Sequence, residues 1–244
     1  MINILGQAYL ALDQYLDTKK FDDIIDDIIV GLAKSKYAAG PTNTGPGYID
    51  RQKKSVFEIY TQILTDKNHP YHNTIKNLKN WEPLTFIQYK WPSHSLGQCL
   101  ILRHSEFNNY STKATSSKCK DQPIISNFSA FMKWLEKEKI FDEIGRIVIF
   151  LNEPGSCAIE HRDYYDGISR KDQFIWICPL GNKQFYIRDD DKKVYLKSRF
   201  CYFDNANIHG SDPAEQNSFS IRVDGVFSKS FLDKTNLGNH YDST

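Results

Sequence analysis

No stretch of this chain is apolar for long enough to cross a bilayer, and its opening residues carry no basic lead into an apolar run. A membrane span and a secretion signal are therefore not expected, and the protein is expected to be soluble and cytoplasmic. An excess of charge of one sign is also missing: 31 Lys and Arg stand against 30 Asp and Glu, a formal net charge of +1. No basic block is long enough to bind a nucleic acid, whose grip depends mostly on phosphate neutralisation, so a nucleic-acid partner is not expected. Cysteine is scarce: the five residues (99, 119, 157, 178 and 201) are odd in number, include no C-x-x-C, and read as reduced thiols. A P-loop, a G-x-G-x-x-G turn, a nucleophile elbow and an internal repeat are absent as well.

Aromatic residues are abundant, at 14 % of the chain, as a β-structure packed around Phe, Tyr and Trp requires. Short β-rich runs at 146–152, 174–179, 184–188, 194–196, 200–203 and 219–227 are separated by turns such as Gly181-Asn182 and Asp189-Asp190-Asp191. This spacing predicts a sandwich or jelly roll, with further strands at 84–91 and 97–103. Upstream, residues 5–36 read as helical. Ile24, Ile25, Ile28, Ile29 and Leu32 form one stripe, opposite a solvated face of Asp22, Asp23, Asp26 and Asp27. A loop at 38–50 and helices at 51–66 and 72–80 follow, then a surface loop at 104–123. Phe128, Phe131, Met132 and Leu135 mark another helix outside the sheet. The expected organisation is a helical region over 1–80, a β core over 81–232 and a loosely ordered polar tail over 233–244.

Within the β core lie His161-Arg162-Asp163, then His209, then Arg222. On a strand, alternate side chains share a face, so His161 and Asp163 point the same way. A lone H-x-D carries little, since roughly one arises by chance among so many acidic residues. The order, spacing and strand context together carry more. Two imidazoles and one carboxylate on one side of a metal suit non-haem Fe(II) oxygen chemistry. Arg222, 13 residues beyond His209, is placed to hold a dicarboxylate co-substrate through its planar fork, with a structural salt bridge as the competing reading. Ser220 lies two residues earlier on the same face and is a second donor for that carboxylate. The His69-Pro-Tyr-His72 spacing is broken by Pro70 and lacks a third ligand. Arg162, Tyr164, Tyr165 and Trp176 read as packing or rim residues.

The stretch 146–227, about a third of the chain, resembles the Fe(II)- and 2-oxoglutarate-dependent dioxygenases, and within them the aspartyl/asparaginyl β-hydroxylase-like branch that includes proline hydroxylases. The matching pieces are Leu151-Asn-Glu-Pro-Gly155, Ile159-Glu-His161-Arg-Asp163, Phe203-Asp-Asn205 before His209, and Ser220-Ile-Arg222-Val-Asp224. The resemblance implies a double-stranded β-helix with iron on His161, Asp163 and His209, and 2-oxoglutarate held through Arg222. It further implies O2-dependent hydroxylation of an amino acid or peptidyl residue, with release of succinate and CO2. The chain departs from that branch at Asp172-Gln-Phe-Ile-Trp176, where members carry Arg-x-His, and at Gly210-Ser-Asp-Pro213, where they place an Asn. Both departures bear on substrate. The alternative is a cupin-type isomerase or dioxygenase that shares the jelly roll and does not use 2-oxoglutarate.

Overall fold

The computed structural model describes residues 4–34, 67, 98–105, 119–152, 155, 157–158, 160–165, 168–169, 172–180, 183–215 and 218–242. The expected loop at 38–50, the helices at 51–66 and 72–80, the strand at 84–91 and the His69/His72 pair lie outside these residues. The described strands are β1 (Tyr9–Ala11), β2 (Gln98–Ser105), β3 (Cys119–Asp121), β4 (Phe141–Asn152), β5 (Tyr164–Tyr165), β6 (Ile168–Ser169), β7 (Phe174–Ile177), β8 (Phe185–Asp189), β9 (Lys192–Tyr195), β10 (Phe200–Phe203), β11 (His209–Ser211) and β12 (Ser218–Phe227). The α-helices are α1 (Thr18–Asp22), α2 (Ile25–Lys34), α3 (Ser129–Glu138), α4 (Lys229–Thr235) and α5 (Gly238–Asp242), with 3-10 helices at Asp13–Tyr15 and Pro123–Phe128.

The period-two pattern of β12 sets the layering. Phe219, Ile221 and Val223 turn to one face and Ser218, Ser220, Arg222 and Asp224 to the other, and all seven are buried. A strand covered on both faces needs partners for both sets. The apolar set joins Ile147 and Ile149 of β4, Ile175 and Ile177 of β7, and the helical stripe Ile25, Ile28, Ile29 and Leu32 in one core. Each such side chain contributes roughly 1.5–3 kcal/mol on leaving water, so the stripe fixes which face of α2 meets the sheet. The polar set faces the interior between two sheets, beside Val148, Phe150, Phe174 and Trp176, which share its register face.

The larger sheet runs β1-β10-β7-β12-β4-β2-β3 and the smaller β11-β8-β9, with every described pairing antiparallel. An isolated bridge between His161 and His209 extends the smaller sheet beyond β11. The chain therefore passes from β4 in the large sheet to His161 in the small one, back to β7, across to β8 and β9, back to β10, across to β11 and back to β12. Strands that alternate between two facing antiparallel sheets in this way make a double-stranded β-helix, mainly β with flanking helices.

Three expectations change. Residues 5–36 are not helical throughout: β1 pairs with β10, in the register Tyr9↔Phe203 to Ala11↔Cys201. The open edge of β10 offers hydrogen bonds that outweigh the weak local preference of this segment. A single 3-10 turn, Asp13–Tyr15, follows β1, and α-helix begins at α1, capped by the Asp17 carboxylate accepting from the Lys20 N–H at 3.0 Å. The loop expected at 104–123 yields its described ends to strand pairing, Arg103↔Asp121 to Ser105↔Cys119. The segment after Phe231 is ordered helix, because Phe231 and Leu237 are fully buried and the Tyr241 hydroxyl donates to that of Tyr202 at 2.7 Å. Among the described residues no helix is long and apolar enough to cross a membrane.

Candidate metal centre

His161 and His209 are neighbours because their backbones exchange both hydrogen bonds, His161 N to His209 O at 3.0 Å and His209 N to His161 O at 2.9 Å. Their rings end 4.4 Å apart between centroids. Asp163 is anchored two residues on, where its N–H donates to the Asn205 carbonyl at 3.0 Å. Gly210 lets β11 run close to its neighbours: a Cβ there would lie 3.0 Å from the Ala158 carbonyl oxygen and 3.2 Å from the Tyr186 hydroxyl. One donor atom from each of His161, Asp163 and His209 lies within 4.8 Å of the others.

The chemistry of the three donors fits a divalent metal. His209 is buried, and its Nδ1 sits 2.8 Å from the Asn207 carbonyl, which keeps the proton on Nδ1 and the lone pair on Nε2. Burial holds its pKa down at about 4, against an opposing pull from Asp163 and with help from His161. The ring is neutral at pH 7, as ligation requires. Asp163 Oδ2 accepts from Asn205 Nδ2 at 2.9 Å and from Arg222 Nη1 at 3.1 Å, while Oδ1 faces His161 Nε2 at 3.9 Å. His161 is the exposed member, with 37 % of its side chain accessible, so the site opens on its side.

Arg222 is where the structure adds most to the sequence reading. Its guanidinium lies 4.0 Å over the Phe174 ring and reaches three carboxylates: Asp224 at 2.8 Å, Asp163 at 3.1 Å and Asp172 at 3.2 Å. Burial works to lower its pKa, yet Asp224, Asp163 and Asp172 together hold it above the ordinary arginine range. Arg146 takes the other oxygen of Asp224 at 3.1 Å, and Asn205 bridges Asp163 to Asp172. Three carboxylates against two guanidiniums leave one negative charge over, which a bound dication offsets. In this arrangement Arg222 orients the Asp163 carboxylate, and its fork is occupied by protein groups.

Ser220 accepts instead from Lys183, at 3.3 Å. The Lys183 ammonium lies 4.8 Å from the Trp176 ring centroid, 5.6 Å from that of Phe185 and 6.0 Å from that of Phe150. Burial lowers its pKa to about 8, with slight opposition from Cys178. Sequence reading passed over Lys183, Asn205 as a bridge, and Asp172. The one signal for Lys183 is parity: it precedes Phe185 and Ile187 by two and four residues, so it occupies an inward position with a charge. Of the expected rim residues, Arg162 is exposed and Trp176 is buried on the inner face.

No family model and no curated protein matches the chain. Among solved structures, it is similar to a viral collagen prolyl hydroxylase from Paramecium Bursaria Chlorella virus-1, at 13 % identity over 43 % of this chain and 73 % of that one, with a TM-score of 0.27. A prolyl-4-hydroxylase from Pseudomonas putida shares 13 % identity over 44 % of this chain and 69 % of that one, TM-score 0.30. A cupin barrel protein from Salinispora arenicola shares 14 % over 37 % and 69 %, TM-score 0.25.

Proposed function

We propose that this chain is an Fe(II)- and 2-oxoglutarate-dependent dioxygenase that hydroxylates an unactivated carbon of an amino acid or peptidyl residue, releasing succinate and CO2. The convergence of His161, Asp163 and His209 donor atoms within 4.8 Å, at one side of a two-sheet interior, carries this reading. Two imidazoles and a carboxylate leave the opposite positions of a metal open to a co-substrate and to oxygen. When bound, iron and 2-oxoglutarate supply the oxidising chemistry; the protein supplies position and a dry pocket.

The residues divide that work. His161, Asp163 and His209 would hold the metal. Arg222 and Asn205 fix one Asp163 oxygen, so the other is presented in one orientation. Phe185 and Phe203, with ring centroids 5.8 Å and 5.4 Å from that of His209, exclude water from its inner side. The amino-acid substrate class is supported by the sequence resemblance around Gly155, His161 and His209, and by the balanced charge, which offers no phosphate-binding stripe.

Anaerobic titration with Fe(II) and then 2-oxoglutarate tests the reading, followed by a panel of amino acids and peptides scored by succinate release and a gain of one oxygen in the product. One iron per chain and saturable 2-oxoglutarate binding are expected. Iron binding without any 2-oxoglutarate binding would favour the cupin-type alternative. Turnover confined to nucleosides or oligonucleotides would overturn the substrate class and leave the metal assignment standing.

A further inference from the structure

We infer that helix α5 positions the metal ligands: His240, set against the buried Asp204 carboxylate, fixes the turn from Asp204 to Asn207, and that turn holds Asp163 and His209 in ligating orientation. The inference rests on the proposed metal centre and assigns Asp204 and His240 as positioning residues for it.

The turn is built on Asp204. Its Oδ1 accepts from the Ala206 N–H at 2.9 Å and its carbonyl from the Asn207 N–H at 3.1 Å. Side chain and backbone of one residue thus close the loop between β10 and β11. The residues so placed touch two members of the triad. The Asn205 carbonyl accepts from the Asp163 N–H at 3.0 Å, and its Nδ2 donates to Asp163 Oδ2 at 2.9 Å. The Asn207 carbonyl lies 2.8 Å from His209 Nδ1. A rotation of this turn would release the Asp163 carboxylate and the His209 tautomer together.

Asp204 is fully buried, and its Oδ2 has no hydrogen-bond partner among the described residues. A buried carboxylate oxygen without a donor is costly, so the group set against it decides whether the carboxylate keeps this orientation. That group comes from α5. His240 Nε2 stands 3.9 Å from Oδ2, the one ion-pair contact of Asp204 among the described residues. The imidazole is itself buried, with the Tyr202 ring edge-on at 6.1 Å between centroids. The helix is anchored independently, by the fully buried Leu237 beside it and by the Tyr241 hydroxyl donating to that of Tyr202 at 2.7 Å. Tyr202 lies on β10, two residues before Asp204, so helix and turn are referenced to the same strand. A helix needed only to cover β10 would be served by an apolar side chain at position 240. A buried imidazole aimed at a carboxylate specifies an orientation as well.

The test uses the full chain with His240→Leu, which fills the space without a donor, and His240→Gln, which restores one. Asp204→Asn keeps the Oδ1 acceptor and removes the charge; it approaches the contact from the other side and decides the matter if His240→Leu does not fold. Tyr241→Phe is the control, removing a hydrogen bond of the same helix and leaving the Asp204 contact in place. In the metal-free protein at neutral pH, imidazole nitrogen chemical shifts report whether His209 keeps its proton on Nδ1, and anaerobic titration reports Fe(II) affinity. His240→Leu and Asp204→Asn should show a mixed His209 tautomer and bind iron about three- to tenfold more weakly. His240→Gln should recover part of both effects, and Tyr241→Phe should lower the melting temperature alone. A parent-like tautomer and iron affinity in the folded variants overturn the inference, as do equal losses in Tyr241→Phe. If the parent binds no iron the metal reading fails, and the metal-free spectra still decide the coupling between α5 and His209.

Discussion

Replacing Arg222 by Met removes the one cation shared by Asp163, Asp172 and Asp224 and keeps the hydrophobic stem over Phe174. The carboxylates left behind are poorly hydrated: their side chains are 15 %, 7 % and 0 % accessible. Removing one partner from a buried ion pair costs about 3–5 kcal/mol, because the other charge stays buried. Here Asp224 keeps Arg146 at 3.1 Å and Asp172 keeps Asn205 at 2.8 Å, which places the loss near the lower end, about 3 kcal/mol. Asp163 also loses one of the two donors to Oδ2, so iron affinity should fall about 10- to 100-fold, as for other groups that orient a metal ligand. Urea unfolding of the metal-free protein reads the first effect and anaerobic iron titration the second. Excess Fe(II) should restore part of the stability, since the dication offsets the uncovered charge. Arg222→Lys, a point charge without the fork, should fall between parent and Met. Stability within about 0.5 kcal/mol of the parent, with unchanged iron affinity, would refute the positioning role.

Lys183→Met should leave the metal-free protein at least as stable as the parent near pH 7, because it removes a partly buried ammonium that has no carboxylate partner among the described residues; a loss like that of Arg222→Met in urea unfolding would contradict this. The folded-state pKa of about 8 lies below the ordinary 10.5, so the unfolded chain holds this proton longer. The parent should therefore gain on the Met variant as pH rises from 8 to 10.5. For His209, with a folded pKa of about 4 against an ordinary 6.5, the unfolded chain binds the extra proton between those values. Its contribution to metal-free stability should be complete above pH 6.5 and decline towards pH 4, by up to about 3 kcal/mol, and His209→Gln should flatten that part of the pH–stability curve. A chain starting at residue 35 loses the β1 strand and the α2 stripe and should be insoluble or melt far lower; an unchanged melting temperature would show that the segment is dispensable.

The parts of the fold legible in the sequence are those governed by local periodicity. β10 and β12 follow from runs of Phe, Tyr, Ile and Val, and the α2 stripe from Ile25 to Leu32, because the period itself reports a buried face. The grouping of His161, Asp163 and His209 was legible for a similar reason: H-x-D on extended backbone fixes two groups on one face, and the strand count brings the third alongside. β1 was not legible, since its order comes from the edge of β10, distant in sequence. The C-terminal helices were missed because few apolar residues, Phe231 and Leu237 foremost, tie them down. The commitment of Arg222 was hidden because its partners come from three places, Asp163 beside the small sheet, Asp172 before β7 and Asp224 on its own strand. Only the antiparallel register and the turn of each side chain decide that they meet. Lys183 has an inward parity, two residues before Phe185, but the preceding Gly181-Asn182 dipeptide carries the sequence signature of a turn, where a lysine is ordinary.

If three side chains from two separate segments hold one metal ion, as proposed, the iron stoichiometry of the triad variants reports it most directly. Purified parent protein and the His161→Ala, Asp163→Ala and His209→Ala variants would be titrated anaerobically with Fe(II), with melting curves to establish that each is folded. One iron per parent chain and severe weakening in all three variants are expected, since each substitution opens a coordination position. Folded variants that hold iron as tightly as the parent would contradict the proposal.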